Sequence, residues 1–270
     1  MFKVILVVIV GVMVLLSYTK YLENRGIFFP SKVMECAPDA LGMIFEEAPC
    51  RTEDGLMLYG WFIPAPDAAY TVLFFTGNAG NISYRLDKLK LLHEAGLNVY
   101  IIDYRGYGRS AGKPSEAGLY KDAQAAYTYL IRSRALSPEQ IILYGESLGA
   151  VAAVDLAVRH PVKALILEGA FSNAKDMART LYPYLPSWFL SLRFDSLRKI
   201  KKMYAPVLLL HSRDDEIVPY VLAKKLYDAA PGPKHFVELK GGHNSAFLDS
   251  QTLYTASLRI FIESLQLPKK

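Results

Sequence analysis

The sequence contains little cysteine. Its 270 residues include only Cys36 and Cys50, with no Cys-x-x-Cys pair and no Cys/His group at metal-ligand spacing. The two thiols could pair in an oxidising compartment and would stay reduced in a reducing one, and the sequence does not decide between these states. No metal ion or organic cofactor is predicted.

No basic stripe interleaved with aromatic side chains runs through the chain, although the formal net charge is +5. Nucleic acid is therefore a poor candidate partner. A solvated face explains the charge best, and an anionic membrane surface is the second choice. A glycine-rich loop at 104–114 is not a nucleotide-binding P-loop, because Pro114 follows Lys113 where that motif needs Ser or Thr. Part of the positive excess lies in Arg193, Arg198, Lys199, Lys201 and Lys202.

Long hydrophobic runs are also scarce, and the only one lies at 2–18. A membrane-spanning helix needs roughly 17–25 apolar residues, so this run is just long enough. No small-residue cleavage site follows it, which favours an uncleaved anchor over a signal peptide. We expect a single-pass membrane anchor at 1–20 and a linker at 21–42. Positive residues flank both ends of the run, so its orientation is left open.

The remainder, 43–270, is predicted to be one α/β domain without internal repeats. Two strand patterns, Met43–Pro49 and Leu56–Ile63, flank a turn and indicate an antiparallel hairpin. Continuous apolar strands then alternate with helical patterns, which predicts a mostly parallel sheet with helices on both faces. These later strands are predicted at 71–75, 97–103, 141–145, 162–167, 206–210 and 235–239.

The strongest motif is Gly145-Glu146-Ser147-Leu148-Gly149, which fits G-x-S-x-G between a strand and a helix. A serine on so sharp a turn needs neighbours with almost no side chain two residues away on either side. The turn exposes the hydroxyl at a helix N-terminus, where N–H groups favour negative charge. The sequence therefore predicts Ser147 as a nucleophile.

A serine nucleophile needs a base and a carboxylate that orients the base. Of five histidines, His243 follows two glycines in a loop between the last strand and the last helix, where a Ser…Asp…His order requires the base. Asp214, Asp215 and Glu216 compete for the acid position, and spacing does not distinguish Asp214 from Asp215.

These motifs together resemble the α/β-hydrolase superfamily over about residues 43–265. Thr-Gly-Asn-Ala-Gly-Asn at 76–81 and Asp-Tyr-Arg-Gly-Tyr-Gly-Arg-Ser at 103–110 are similar to the membrane-anchored, single-pass α/β-hydrolase-domain serine hydrolases, the wider group that includes protein depalmitoylases. The resemblance implies Ser147 as nucleophile and His243 as base. It also implies Asp215 as the acid, since that residue matches the Asp of D-x-x-V-P.

The resemblance further implies an oxyanion hole formed by two backbone N–H groups. One belongs to Leu148, directly after the nucleophile, and the other to Asn78 in the loop after a core strand. Thr76 stands where the family usually has His, so a supporting ring is absent beside that loop.

An aromatic, proline-punctuated stretch at 171–203 interrupts the alternation and is predicted to form a lid, the alternative being a packed pair of surface helices. The sequence thus predicts a membrane-tethered serine hydrolase of esters or thioesters with an apolar acyl part, and a small-molecule or lipid-like substrate. An amidase or peptidase could use the same residues. A non-catalytic binding protein is the third reading, and it is disfavoured because every catalytic position is filled.

Overall fold

The computed structural model of the chain describes residues 5–6, 9–11, 13–14, 18, 20, 25–181, 183–184 and 190–266. The strands within them are β1 (Phe29–Pro30), β2 (Glu46–Glu47), β3 (Cys50–Arg51), β4 (Met57–Leu58), β5 (Gly60–Ile63), β6 (Thr71–Phe75), β7 (Ala79–Gly80), β8 (Asn98–Ile102), β9 (Ile141–Glu146), β10 (Ala164–Glu168), β11 (Val207–Ser212) and β12 (Lys234–Leu239).

The central sheet has eight strands in the order β12-β11-β10-β9-β6-β8-β5-β2. From β12 to β8 neighbouring strands run parallel. At the other edge β5 is antiparallel to β8, and β2 is antiparallel to β5. The antiparallel pairing of β2 with β5 confirms the predicted opening hairpin. The two-residue strands β3 and β4, closer to its turn, pair with each other as a separate two-stranded sheet. The mostly parallel α/β sheet is likewise confirmed.

Helices cover both faces of the sheet. They include α1 (Leu86–Glu94), α2 (Glu116–Arg132), α3 (Leu148–Arg159), α4 (Ala174–Leu181), α5 (Ser196–Ile200), α6 (Tyr220–Ala229), α7 (Ala246–Asp249) and α8 (Gln251–Gln266). A single 3-10 turn, Ile82–Arg85, leads into α1. Helices α2, α3, α5 and α6 pack on one face and α1 and α8 on the other.

Strand β6 shows why its sequence is apolar throughout. Val72 and Phe74 face the α1/α8 side, whereas Leu73 and Phe75 face the α2/α3 side, and all four are fully buried. Burying one such side chain contributes roughly 1.5–3 kcal/mol. A strand covered on both faces therefore has no place for alternating polar residues.

The predicted anchor, 1–20, lies largely outside the described residues. No helix in the described part of the chain has both the length and the apolar character needed to cross a bilayer. The predicted linker is attached to the domain from Phe28 onward, because Phe28 is buried and β1 pairs in parallel with β7. Cys36 is exposed and Cys50 buried, and both are free thiols.

Candidate active site

Ser147 lies on the turn between β9 and α3 with φ 53° and ψ −114°, a conformation that side chains rarely adopt. The flanking glycines are required sterically. A Cβ atom on Gly149 would lie 2.0 Å from the Phe75 carbonyl oxygen, and one on Gly145 would lie 2.5 Å from Ala150 Cα. The G-x-S-x-G spacing is thus explained by contacts on both sides of the turn.

The structure brings the three predicted side chains together. Ser147 Oγ lies 3.0 Å from His243 Nε2, and His243 Nδ1 lies 2.7 Å from Asp215 Oδ2. The other carboxylate oxygen of Asp215 accepts the N–H groups of Ile217 at 2.9 Å and Val218 at 2.6 Å. These bonds leave Oδ2 directed at the imidazole and fix the proton on Nδ1, so that Nε2 faces the serine hydroxyl as an acceptor.

Asp215 and His243 change each other's proton affinity. Burial by itself would raise the pKa of Asp215, but the hydrogen bond and charge of His243 lower it below its ordinary value. Burial by itself would lower the pKa of His243, but the hydrogen bond and charge of the Asp215 carboxylate outweigh burial and raise that pKa above 6.5. The pair therefore consists of an ionised carboxylate and an imidazole with increased basicity.

All three acidic candidates contact the loop that carries His243, in different ways. Asp215 bonds to the ring, Glu216 Oε2 accepts the His243 N–H at 2.9 Å, and Asp214 Oδ2 accepts the Gly241 N–H at 3.3 Å. Of the three carboxylates, it is therefore Asp215 that bonds the His243 ring, whereas Glu216 and Asp214 bond backbone N–H groups of the loop.

The predicted oxyanion donors lie on the wall of one cavity beside Ser147. The Leu148 N–H is the first of α3 and so has no partner within that helix. The Asn78 N–H makes no hydrogen bond to the described part of the chain. Two N–H groups are thus available near the serine hydroxyl, as binding an oxyanion requires.

Comparison with known proteins assigns the chain to a family. The family model described as serine aminopeptidase, S33 matches residues 66–200, and the TAP-like protein model matches 190–270. The alpha/beta hydrolase domain-containing protein WAV2 of Arabidopsis thaliana is 34% identical, over 95% of this chain and 91% of its own. The chain belongs to the α/β-hydrolase superfamily.

Two further similarities agree with this α/β-hydrolase assignment. The Mycobacterium tuberculosis protein Rv2307c is 37% identical, over 90% of this chain and 88% of that protein. Among solved structures, the Pyrococcus furiosus esterase Pf2001 superposes with a TM-score of 0.73 at 19% identity, over 87% of this chain and 98% of that one. At this identity the superposition supports the fold alone.

The cavity of this α/β-hydrolase has a volume of about 310 Å³ and opens beside Ser147. One face of α4 lines it with residues at i, i+3, i+4 and i+7, so the predicted lid region does border the site. Residues 182 and 185–189 of that region lie outside the described residues. The lining comprises Gly26, Ile27, Asn78, Ser147, Leu148, Phe171, Ala174, Met177, Ala178, Leu181, Leu190, Leu192, Phe194, Ile217 and Val218.

Two segments that contribute to the site were not predicted from the sequence. Gly26 and Ile27 belong to the predicted linker, yet they line the cavity. Tyr104 and Tyr107, from the loop considered as a P-loop candidate and as a family motif but given no site role, hydrogen-bond to the backbone around Asn78. No sequence signal marks these two contacts, because both acceptors are backbone carbonyls. Within the described residues, no three His, Cys, Asp or Glu side chains are placed to hold a metal ion.

Proposed function

We propose that this chain is a membrane-tethered serine hydrolase that cleaves carboxylic esters or thioesters through an acyl-enzyme on Ser147. The observation that carries the proposal is the continuous series from Asp215 to His243 to Ser147, at 2.7 and 3.0 Å, ending beside an apolar cavity. Each member stands where nucleophilic catalysis needs it.

In the proposed mechanism, Ser147 Oγ attacks the substrate carbonyl while His243 Nε2 takes its proton. The Asp215 carboxylate stabilises the imidazolium and keeps the ring oriented. The N–H groups of Leu148 and Asn78 bind the oxyanion, and losing one such donor typically costs on the order of a hundredfold in rate. His243 then protonates the leaving oxygen or sulfur, and water attacks the acyl-enzyme by the same route in reverse.

The lining of the cavity supports an apolar acyl group. Apart from Ser147 and Asn78, its described lining consists of glycine, aliphatic, methionine and phenylalanine side chains. A volume of about 310 Å³ is at the small end of the range for ligand sites. One acyl chain fits this space, with the alcohol or thiol part of the substrate left outside it.

The position of the N-terminal segment supports tethering near a bilayer. Gly26 and Ile27 lie on the cavity wall, so only residues 21–25 separate the cavity from the proposed anchor at 1–20. Five extended residues span at most roughly 18 Å. Such an anchor would hold the cavity close to the membrane surface, where lipid-like esters are concentrated.

A peptidase is the second candidate, because the matching family model is named for a serine aminopeptidase. Burying the free ammonium group of a peptide substrate in such a cavity requires a counter-charge, such as a carboxylate. The described lining of the cavity contains none. This observation favours the ester or thioester reading over the peptidase.

The test uses the full chain in detergent, with p-nitrophenyl esters, acyl thioesters and aminoacyl anilides as substrates. We expect hydrolysis of acyl esters, labelling by a fluorophosphonate probe, and loss of both in Ser147→Ala. Ser257→Ala is the matched control and should behave as wild type, because Ser257 is a partly exposed residue of α8 whose hydroxyl bonds only to the helix backbone at Leu253 among the described residues. Activity that survives in folded Ser147→Ala, or folded wild type without turnover or labelling, would reject the proposal. Preference for the anilides would support the peptidase.

A further inference from the structure

Two tyrosines hold the loop that supplies the proposed Asn78 donor. The Tyr104 hydroxyl donates to the Thr76 carbonyl at 3.0 Å, and the Tyr107 hydroxyl donates to the Asn78 carbonyl at 2.6 Å. Both side chains are buried. Burial raises the pKa of each hydroxyl, so both keep their protons and remain donors.

The two bonds fix the peptide groups on either side of the donor. The Asn78 N–H belongs to the peptide unit joining Gly77 to Asn78. The Thr76 carbonyl belongs to the unit before it and the Asn78 carbonyl to the unit after it. Because each peptide unit is planar, holding both neighbours restricts rotation of the one between them. The restriction matters at Gly77, whose backbone would otherwise have the widest freedom.

The tyrosine loop is itself rigid. Tyr107 donates its N–H to the Tyr104 carbonyl at 2.9 Å, and the two rings pack edge to face with centroids 5.9 Å apart. Arg105 between them is paired with Asp122 at 2.8 Å and with Asp54 at 3.0 Å. These contacts hold the tyrosine loop, and with it the two hydroxyl groups, in position.

The N-terminal segment holds the same loop from another side. The Phe29 N–H donates to the Asn78 carbonyl at 2.9 Å, and the Asn78 side-chain amide donates to the Ile27 carbonyl at 2.6 Å. Arg85 donates to the Ala79 carbonyl at 3.0 Å. The loop that carries Asn78 is thus held from three directions by backbone and side-chain hydrogen bonds.

We infer that Tyr107, with Tyr104 beside it, is a positioning residue that orients the Asn78 N–H toward the oxyanion. The inference rests on the proposed function, since the donor has a role only if Ser147 forms a tetrahedral intermediate. Tyr107 touches neither substrate nor reacting atoms, and it acts through the backbone of the loop. The Tyr-Arg-Gly-Tyr motif at 104–107 thereby contributes to the hydrolase reaction by orienting the Asn78 N–H.

The test compares Tyr107→Phe with wild type in the full chain. The variant loses one hydroxyl and keeps the ring, so the oxyanion donor becomes less well oriented while the acyl cavity is unchanged. We expect kcat to fall about five- to tenfold with KM within about twofold. The inhibition constant of a trifluoromethyl ketone, whose adduct places an oxyanion in the hole, should rise by the same factor. If Tyr107 only stabilised the fold, the fall in kcat and the rise in the inhibition constant would not agree.

Tyr100→Phe is the matched control, because the Tyr100 hydroxyl also donates to a backbone carbonyl, that of Ala48, at 3.0 Å and is buried. It should leave kcat and the inhibition constant unchanged. If Tyr107→Phe matched this control while Ser147→Ala was inactive, the inference would be wrong and the proposed function would stand. An active Ser147→Ala would overturn both. Should Tyr107→Phe not fold, Tyr104→Phe makes the same test at Thr76.

Discussion

The two oxygens of the Asp215 carboxylate have different partners. Oδ1 is occupied by the N–H groups of Ile217 and Val218, which fixes the orientation of the side chain. Oδ2 bonds the imidazole of His243 and lies 3.6 Å from Nε2 of the buried His211. One carboxylate thus hydrogen-bonds both to the turn that holds it and to the His243 ring.

Asp215→Asn should therefore reduce kcat by about 10⁴, because an amide nitrogen near Nδ1 favours the wrong imidazole tautomer. Asp214→Asn is the control and should stay within about threefold of wild type, since Asp214 accepts only a backbone N–H at 3.3 Å from this loop. Steady-state hydrolysis of a p-nitrophenyl ester measures both. Equal effects of the two variants would contradict the assignment of the acid.

The pH profile tests the same pair. His243 must be neutral to accept a proton, and Asp215 raises its pKa above 6.5. We expect kcat/KM to fall as the pH decreases through that raised pKa, and the acidic limb to move to lower pH in the residual activity of Asp215→Asn. An acidic limb that does not move would show that another group controls it.

Ser147 and His243 could be predicted from the sequence because glycines mark their backbone positions. Asp215 could not be chosen by spacing, since three adjacent carboxylates reach the same loop and only the turn at 215–218 decides which one faces the ring. Tyr107 was missed for a related reason. Its partner is a backbone carbonyl, which carries no signature in the sequence.

At the scale of elements, α4 forms one wall of the cavity. Its apolar face lines the cavity, whereas its polar face carries Asp176 near the first turn. Asp176 accepts hydrogen bonds from Ser172 and from Lys225 of α6, both at 2.6 Å. These hydrogen bonds hold the start of α4 against the domain. The volume of the cavity beside α4 therefore depends on the side chains of its apolar face.

Ala178→Leu should shift the preferred acyl chain to shorter esters. Ala178 is buried and lines the cavity, so a larger side chain occupies volume that the acyl group needs. We expect kcat/KM for long-chain esters to fall at least about tenfold with acetyl ester hydrolysis nearly unchanged. Arg179→Leu introduces the same side chain on the exposed face and is the control. A parallel loss for all chain lengths would argue against an acyl cavity under α4.

Hydrophobic periodicity predicted the strands of the central sheet. It did not predict that the N-terminal segment would pair with β7 and line the cavity. Strand β1 has two exposed residues, Phe29 and Pro30, and pairs with the equally short β7. Neither strand is long enough to show an alternating pattern. Their pairing is decided by tertiary contacts, which explains why a segment expected to be a linker lines the site.

At the scale of the whole molecule, a buried ion pair joins the α1 side of the sheet to the strands beneath the site. Lys88 Nζ lies 2.5 Å from Glu168 Oε2, with both side chains almost fully buried. Tyr144 and Tyr254 also hydrogen-bond to the Glu168 carboxylate. The backbone carbonyl of Glu168 accepts the Ser147 N–H at 2.8 Å, so Glu168 connects this cluster directly to the turn that carries Ser147.

Lys88→Met should lower the free energy of unfolding by about 3–5 kcal/mol, because it leaves the Glu168 carboxylate buried without its counter-charge. Lys88→Met/Glu168→Gln removes both charges and should recover most of the loss. Lys90→Met, on the exposed face of the same helix and paired with Glu94 at 3.8 Å, should change it by less than about 0.5 kcal/mol. Urea unfolding of the four proteins measures these differences.

The pH dependence of unfolding supplies a separate check on the pair. Burial alone would raise the pKa of Glu168, yet Lys88 and the hydrogen bonds lower it below the ordinary 4.5. The contribution of the pair is therefore fully present above about pH 4.5 and is lost as the pH falls through the lowered pKa. Wild type should lose more stability than Lys88→Met/Glu168→Gln in that acidic window. Equal losses in the two proteins would show that Glu168 is not ionised in the folded state.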